Sequence, residues 1–283
     1  MSDTEVTPAG LKPMMRGGRR LRDGAALYWW VEVLAILGYY AVYSAIRNAN
    51  GSHPLHAFHD AKTIIKIEHH LGVFHEATIQ GWALHFKPLI ISANYMYGSL
   101  HFIVTIWVAV WLFRSYSDDY PRYRNTLAIT TGLALIGFTF FPLMPPRLLD
   151  SDPFIVLHHL RLHHGFIDTL DKYPTFWSFD SGPAAKVSNQ YAAMPSVHIA
   201  WSTWCALALV PRMRTLPRKI LAASYPVITL VVIVITANHF VIDAVGGLLI
   251  LSIGWVLGNK FTRAGRGPAI DLAAGAGDAA VDP

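Results

Sequence analysis

Long apolar runs, broken by short segments rich in polar residues, Gly and Pro, recur along this chain. Six of them can cross a bilayer once their ends extend into the interface: residues 25–45, 89–113, 126–141, 191–210, 220–237 and 240–257. The pattern predicts an all-α polytopic membrane protein, a six-transmembrane-helix bundle. Between the first two runs, Ile64, Ile67, Leu71 and Phe74 recur at helical spacing, with Lys62, Lys66, Glu68 and His69 on other positions. That spacing predicts an interfacial amphipathic helix. Between the third and fourth runs, Pro142, Pro145, Pro146, Pro153, Pro174 and Pro183 rule out one continuous helix and predict an extracytoplasmic loop cap or entry loop.

Composition agrees with this pattern. The 283 residues are 53% hydrophobic and only 14% charged, which is too apolar for an ordinary soluble domain. The net charge of +5 adds a direction, because cytoplasmic loops carry the excess of Lys and Arg. The N-terminal tail, the loop with Arg114, Arg122 and Arg124, the loop with Arg212, Arg214, Arg218 and Lys219, and the C-terminal Lys260, Arg263 and Arg266 together hold fifteen of the 23 cationic residues. The opposite loops and segment ends hold eight. Both termini are therefore expected in the cytoplasm, with the long loops 46–88 and 142–190 outside. The basic balance reads as topology; no basic soluble module invites a nucleic acid.

Residues 1–24 and 259–283 read as disordered cytoplasmic tails, and 25–258 as one catalytic membrane domain. The first apolar run is full length and lacks a small-residue cleavage pattern, so it is expected to stay as an anchor in the inner or plasma membrane. The single cysteine, Cys205, cannot form an intramolecular disulfide and is expected to serve packing.

Candidate chemistry gathers where apolar runs begin. His239 and Asp243 are four apart, so on a helix they share one face, and the carboxylate can fix the imidazole's tautomer and raise its basicity. A nucleophilic histidine is built that way. Ser196 and His198 open the fourth run, and Arg147 follows the third; all lie at one membrane face on the expected topology. A cation, a hydroxyl and two imidazoles at one depth suit an anionic phosphoryl group. His101, beside Tyr95 and Tyr97, reads either as a cavity-lining, substrate-binding residue or as a hydrogen-bonded structural histidine; Glu32 is equally open.

Pro195-Ser196-Val197-His198, followed after one intervening run by His239-x-x-x-Asp243, resembles the second and third signatures of the type 2 phosphatidic acid phosphatase superfamily. The segment 191–198, preceded by Pro145-Pro146-Arg147, looks most like its inositol phosphorylceramide synthase branch, an inositolphosphotransferase. The resemblance implies that His239 attacks phosphorus, that Asp243 orients it, and that His198 protonates the departing oxygen and then acts as base. It implies that Ser196, nearby backbone amides and Arg147 hold the phosphoryl oxygens, and that no metal or other cofactor is needed.

Two positions depart from the superfamily's pattern. Its first signature has a lysine seven residues before the arginine, where this chain has Phe140; its third has an arginine six residues before the histidine, where this chain has Ile233. Two phosphate-binding cations are thus missing. The expected function is transfer of a phosphorylated headgroup from a phospholipid donor to a lipid or glycan hydroxyl. The alternatives are a lipid or polyprenyl phosphate phosphatase, with water as acceptor, and a non-catalytic lipid-binding or transport protein.

Simpler roles exist for several of these residues. Ser196 also reads as an N-cap and Arg147 as a snorkelling interfacial cation. Glu68, His69, His70, His75 and Glu76 lack a ligand spacing on one helical face and read as a solvated polar surface, and the pair His159/His163 alone is weak support for a metal.

Overall fold

Close approach between α6 (Tyr120–Phe140) and α11 (Val241–Gly265) forms the spine of the molecule. The contact depends on glycine: a Cβ on Gly254 would lie 2.2 Å from Thr130 Oγ1. Around this pair stand α1 (Trp29–Asn50), a long helix made of α4 (Lys87–Tyr95), a π-helical turn (Met96–Leu100) and α5 (His101–Ser115), then α9 (Val197–Leu209) and α10 (Leu216–Ile235). The two long connecting segments supply α2 (Pro54–Leu71), α3 (Glu76–Ala83), a 3₁₀ turn (Pro146–Leu148), α7 (Pro153–Leu157) and α8 (Thr169–Lys172). The computed structural model describes residues 18–21, 25–50, 53–173 and 190–265. Pro174, Pro183 and the outer parts of both expected tails lie outside the described residues.

Three described helices are long and apolar enough to cross a membrane: Lys87–Ser115, Leu216–Ile235 and Val241–Ala264. Trp29–Val42 is a shorter apolar helix. The other expected runs do not form helices of that length and apolarity among the described residues. The run 126–141 extends N-terminally into a helix whose first turns carry Arg122 and Arg124. In the run 191–210 the helix starts only at Val197 and has 13 residues, because Ser196 caps it. Gly18–Arg20, expected within the disordered tail, pairs antiparallel with β2 (Ala26–Tyr28) as strand β1, and Leu21 is buried beside it.

The helix expected from Ile64, Ile67, Leu71 and Phe74 forms as α2, but it turns a different face inward. Ala57, Phe58, Ala61, Ile64, Ile65 and Glu68 are buried, whereas Ile67 and Leu71 are exposed. Packing between the two connecting segments explains the change. Phe58 and Ile64 belong to one core with Leu143, Met144, Leu149, Ile155 and Phe240, so α2 packs on protein along this face. Backbone bonds tie that core together: Met144 N–H donates to Ala57 O (3.1 Å), and Leu143 N–H to Tyr191 O (2.8 Å). A second core at the other end joins Leu21, Leu112, Tyr123, Trp204 and Leu251. There Glu32 resolves as structural, accepting from Arg124 Nη1 (2.6 Å) and Tyr120 Oη (3.1 Å).

Candidate active site

The turn between α10 and α11 fixes the candidate nucleophile. Ala237 takes a left-handed conformation (φ 51°), Ala237 N–H donates to Val234 O (2.9 Å) and Asn238 N–H to Ile233 O (3.0 Å). This is the Schellman arrangement, which satisfies the last carbonyls of α10 and reverses the chain within a few residues. A new helix then opens at once. Asp243 sits at its third position and reaches back, Oδ2 accepting the Phe240 N–H (3.0 Å), as the second half of a capping box does. The same Oδ2 lies 3.2 Å from His239 Nδ1. One carboxylate oxygen thus caps the helix and orients the imidazole. Both side chains are buried.

His198 approaches from the other side. Its Nδ1 lies 3.2 Å from His239 Nε2. An ionised Asp243 can only accept, so the neutral His239 carries its proton on Nδ1 and turns the Nε2 lone pair toward the His198 ring. Nε2 is then the ring nitrogen left with a free lone pair, the atom a nucleophilic histidine would use. His198 is positioned by ring contacts: Tyr97 stacks on it with centroids 4.2 Å apart, and the His101 ring lies 4.2 Å away on another side. Tyr97 belongs to the π-helical turn, a kind of irregularity frequent at functional sites. His101 Nδ1 lies 3.1 Å from Tyr97 O, a carbonyl that can only accept, so His101 donates there.

Ser196 caps α9, its Oγ accepting from Ile199 N–H at a long 3.5 Å, while its own N–H donates to Asp243 O (3.0 Å). Gly247 makes this approach possible, since a Cβ there would lie 2.3 Å from Ser196 O. Arg147 reaches the same turn. Its N–H donates to Ala237 O (2.8 Å), its Nε to Asn238 Oδ1 (3.0 Å), and its Nη1 to Asp168 Oδ2 in a buried ion pair. All six residues singled out in the sequence therefore sit in one connected cluster: His239, Asp243 and His198 in direct line, His101 behind His198, Ser196 on the Asp243 backbone, and Arg147 on the residue beside His239.

The departures have structural counterparts. Phe140 is 79% exposed, so its side chain points away from the cluster. Ile233 is fully buried against Ile199, Val234 and Ala244. Apolar packing occupies the place of the second missing cation.

Residues 62–257 match the profile of the PAP2 superfamily. The chain belongs to that superfamily. No curated protein and no solved structure matches it. PAP2 superfamily enzymes are metal-independent phosphatases and phosphotransferases with a histidine nucleophile, and membership points to lipid phosphate substrates for this PAP2 protein.

Several residues of the cluster escaped the sequence. Asp168 on the second long loop carries no motif of its own, and Tyr97 is visible in the sequence only as a neighbour of His101. Glu68 and Glu76, expected on a solvated surface, are fully buried. Glu68 Oε1 accepts Ile242 N–H (2.8 Å) and Glu76 Oε1 accepts Val241 N–H (3.0 Å), so both hold the start of α11. Burial, together with Glu76, pushes the Glu68 carboxyl up to about 9. His159 and His163 line a surface cavity with Val156 and Arg161, and a cavity of about 470 Å³ is lined by His53, His56, His59 and Phe154; neither shares a residue with the His239 cluster.

Proposed function

We propose that this protein is a membrane phosphotransferase that moves a phosphorylated headgroup, of inositol phosphate type, from a phospholipid to a lipid or glycan hydroxyl through a phosphohistidine on His239. The observation that carries this function is the buried line of Asp243, His239 and His198, with 3.2 Å at each step. His239 Nε2 forms the bond to phosphorus as the bond to the diacylglycerol oxygen breaks, and that oxygen takes a proton from His198 in its imidazolium form, which leaves the neutral ring to act as base in the next step. The acceptor hydroxyl then gives its proton to His198 Nδ1, its oxygen bonds to phosphorus, and the P–N bond breaks. Asp243 stabilises the positive charge that develops on His239 in the first step. Arg147 and Ser196 hold the phosphoryl oxygens, and His101 supports His198.

Charge favours the diester donor. A phosphate monoester carries close to two negative charges at neutral pH, a diester one. Phe140 turned outward and Ile233 in apolar packing leave out two cations, and Asp168 already balances Arg147. A site with so little net positive charge suits the monoanionic diester better than the dianionic monoester.

The same function takes 25–258 as one membrane domain of six crossings, with α6 and α9 completing the set, both termini cytoplasmic and the His239 cluster on the extracytoplasmic face. The bias of fifteen cationic residues against eight supports that orientation.

The test is a headgroup-labelled phospholipid offered to purified protein with a panel of lipid and glycan acceptors, and separation of inorganic phosphate, free headgroup phosphate and new lipid products. Labelled headgroup on an acceptor, lost in His239→Ala, is the expected result. Inorganic phosphate as the sole product would overturn transfer in favour of a lipid or polyprenyl phosphate phosphatase, and lipid binding without turnover in favour of a non-catalytic protein.

A further inference from the structure

Three carboxylates from three helices converge on the first turn of α11. Its orphan amides are all engaged: Phe240 N–H by Asp243 Oδ2, Val241 N–H by Glu76 Oε1, Ile242 N–H by Glu68 Oε1, and Asp243 N–H by Phe240 O. Each carboxylate keeps one oxygen with no other hydrogen-bond partner: Glu68 Oε2, Glu76 Oε2 and Asp243 Oδ1, all buried. A helix N-terminus supplies about half a positive charge, which offsets part of one carboxylate and leaves three ionised ones strongly repelling. Glu68 and Glu76 face each other within hydrogen-bond reach when one of them holds a proton. A single proton shared by the Glu68 and Glu76 carboxyls lets one donate to the other and removes one charge.

We propose that Glu68 and Glu76 form a proton-sharing carboxyl pair that positions the first turn of α11, and through it Asp243 and His239, for phosphoryl transfer. Both are positioning residues, and their role rests on the reading of His239 as nucleophile. The pair has a second consequence. Because α2 and α3 belong to the outer loop, the seating of that loop and the geometry of the nucleophile are held by the same two side chains. The titratable groups facing Glu68 are Glu76 from α3 and Asp243 from α11; beyond Asp243 stands His239. The charge remaining on the pair lies beside Asp243, where it raises the basicity of His239.

Two measurements on the detergent-solubilised full chain test this. The first needs no substrate: an infrared pH titration is expected to show a protonated-carboxyl carbonyl band at neutral pH that disappears as pH rises through about 9 and is absent from Glu68→Gln. The second follows turnover of the headgroup-labelled phospholipid against pH. Glu68→Gln keeps a neutral group able to accept from Ile242 and donate to Glu76, so it is expected to stay within about twofold of wild type at neutral pH and to lose the alkaline decline. Glu68→Ala is expected to lower kcat about 10- to 100-fold with little change in KM, because a first turn shifted by a fraction of an ångström misplaces His239. Glu76→Gln removes charge next to Asp243 and is expected to move the acid limb of kcat to lower pH. Absence of the band in wild type, or its survival in Glu68→Gln, overturns the shared proton. Wild-type kcat and pH profile in Glu68→Ala and Glu76→Gln, with His239→Ala inactive, overturns the positioning role and leaves the nucleophile standing. Full turnover by His239→Ala removes the nucleophile and the positioning role together, while the band still reports on the proton.

Discussion

His198 Nδ1 and His239 Nε2 face each other across 3.2 Å although 41 positions separate them in the chain. The two imidazoles sit near the starts of different helices, α9 and α11, and the Ser196 N–H bond to Asp243 O holds those two helix starts together. Backbone hydrogen bonding, and not only the contact of the two rings, thereby holds them side by side.

His239→Ala is expected to show no turnover while still binding lipid. Asp243→Asn, which keeps the shape but loses the charge behind Nδ1, is expected to reduce kcat about 10²- to 10⁴-fold with KM nearly constant. Initial-rate kinetics on labelled phospholipid separate the two, and unchanged turnover in His239→Ala would remove it as nucleophile.

Asp168→Ala leaves the Arg147 guanidinium buried beside Asn238 without its counter-charge. Breaking such a pair costs about 3–5 kcal/mol. The double variant Arg147→Met/Asp168→Leu is expected to cost less than the sum of its single changes, because it leaves no charge unpaired. A double-mutant cycle on thermal unfolding in detergent measures this; strict additivity would mean that the pair is not coupled.

Gly247→Ala forces a Cβ to within 2.3 Å of Ser196 O, a backbone atom that cannot swing aside. The segment carrying His198 has to shift, with an expected cost of about 1–3 kcal/mol in stability and about 10²-fold in kcat. Gly38→Ala, with nothing within 4 Å, is the control and is expected to match wild type in turnover.

Stability is expected to fall with alkaline pH. The folded Glu68 carboxyl titrates near 9, well above an unfolded glutamate, so the folded chain binds the extra proton between those values. A raised carboxyl favours folding fully below the unfolded value and loses that contribution as pH rises through the folded one. Unfolding temperature in detergent should therefore decline from the ordinary glutamate range up to about 9, and Glu68→Gln should flatten this slope. An unchanged slope in the variant would assign the decline to other groups.

The sequence predicts the helix that carries Ile64 but not its inward face. Ile67 and Leu71 fit the apolar stripe on spacing alone, yet burial follows what lies opposite, and the core of Leu143, Leu149 and Phe240 lies opposite Ala57, Ala61 and Ile65. Ser196 shows the same limit in another way. Read from the sequence it was either a cap or a phosphate ligand; in the structure its hydroxyl caps α9 at 3.5 Å while its backbone joins the Asp243 turn.

The sequence by itself determined the residues of the candidate chemistry, because the signals are local: a four-residue helical offset joins His239 to Asp243, and a run of apolar residues marks each helix beside it. Only the tertiary structure decided what surrounds them. Glu76 and Glu68 meet the start of α11 from 165 and 174 positions away, and Asp168 meets Arg147 across a loop. A carboxylate's burial and charge depend on partners brought by folding, and no periodicity along the chain records where those partners will be.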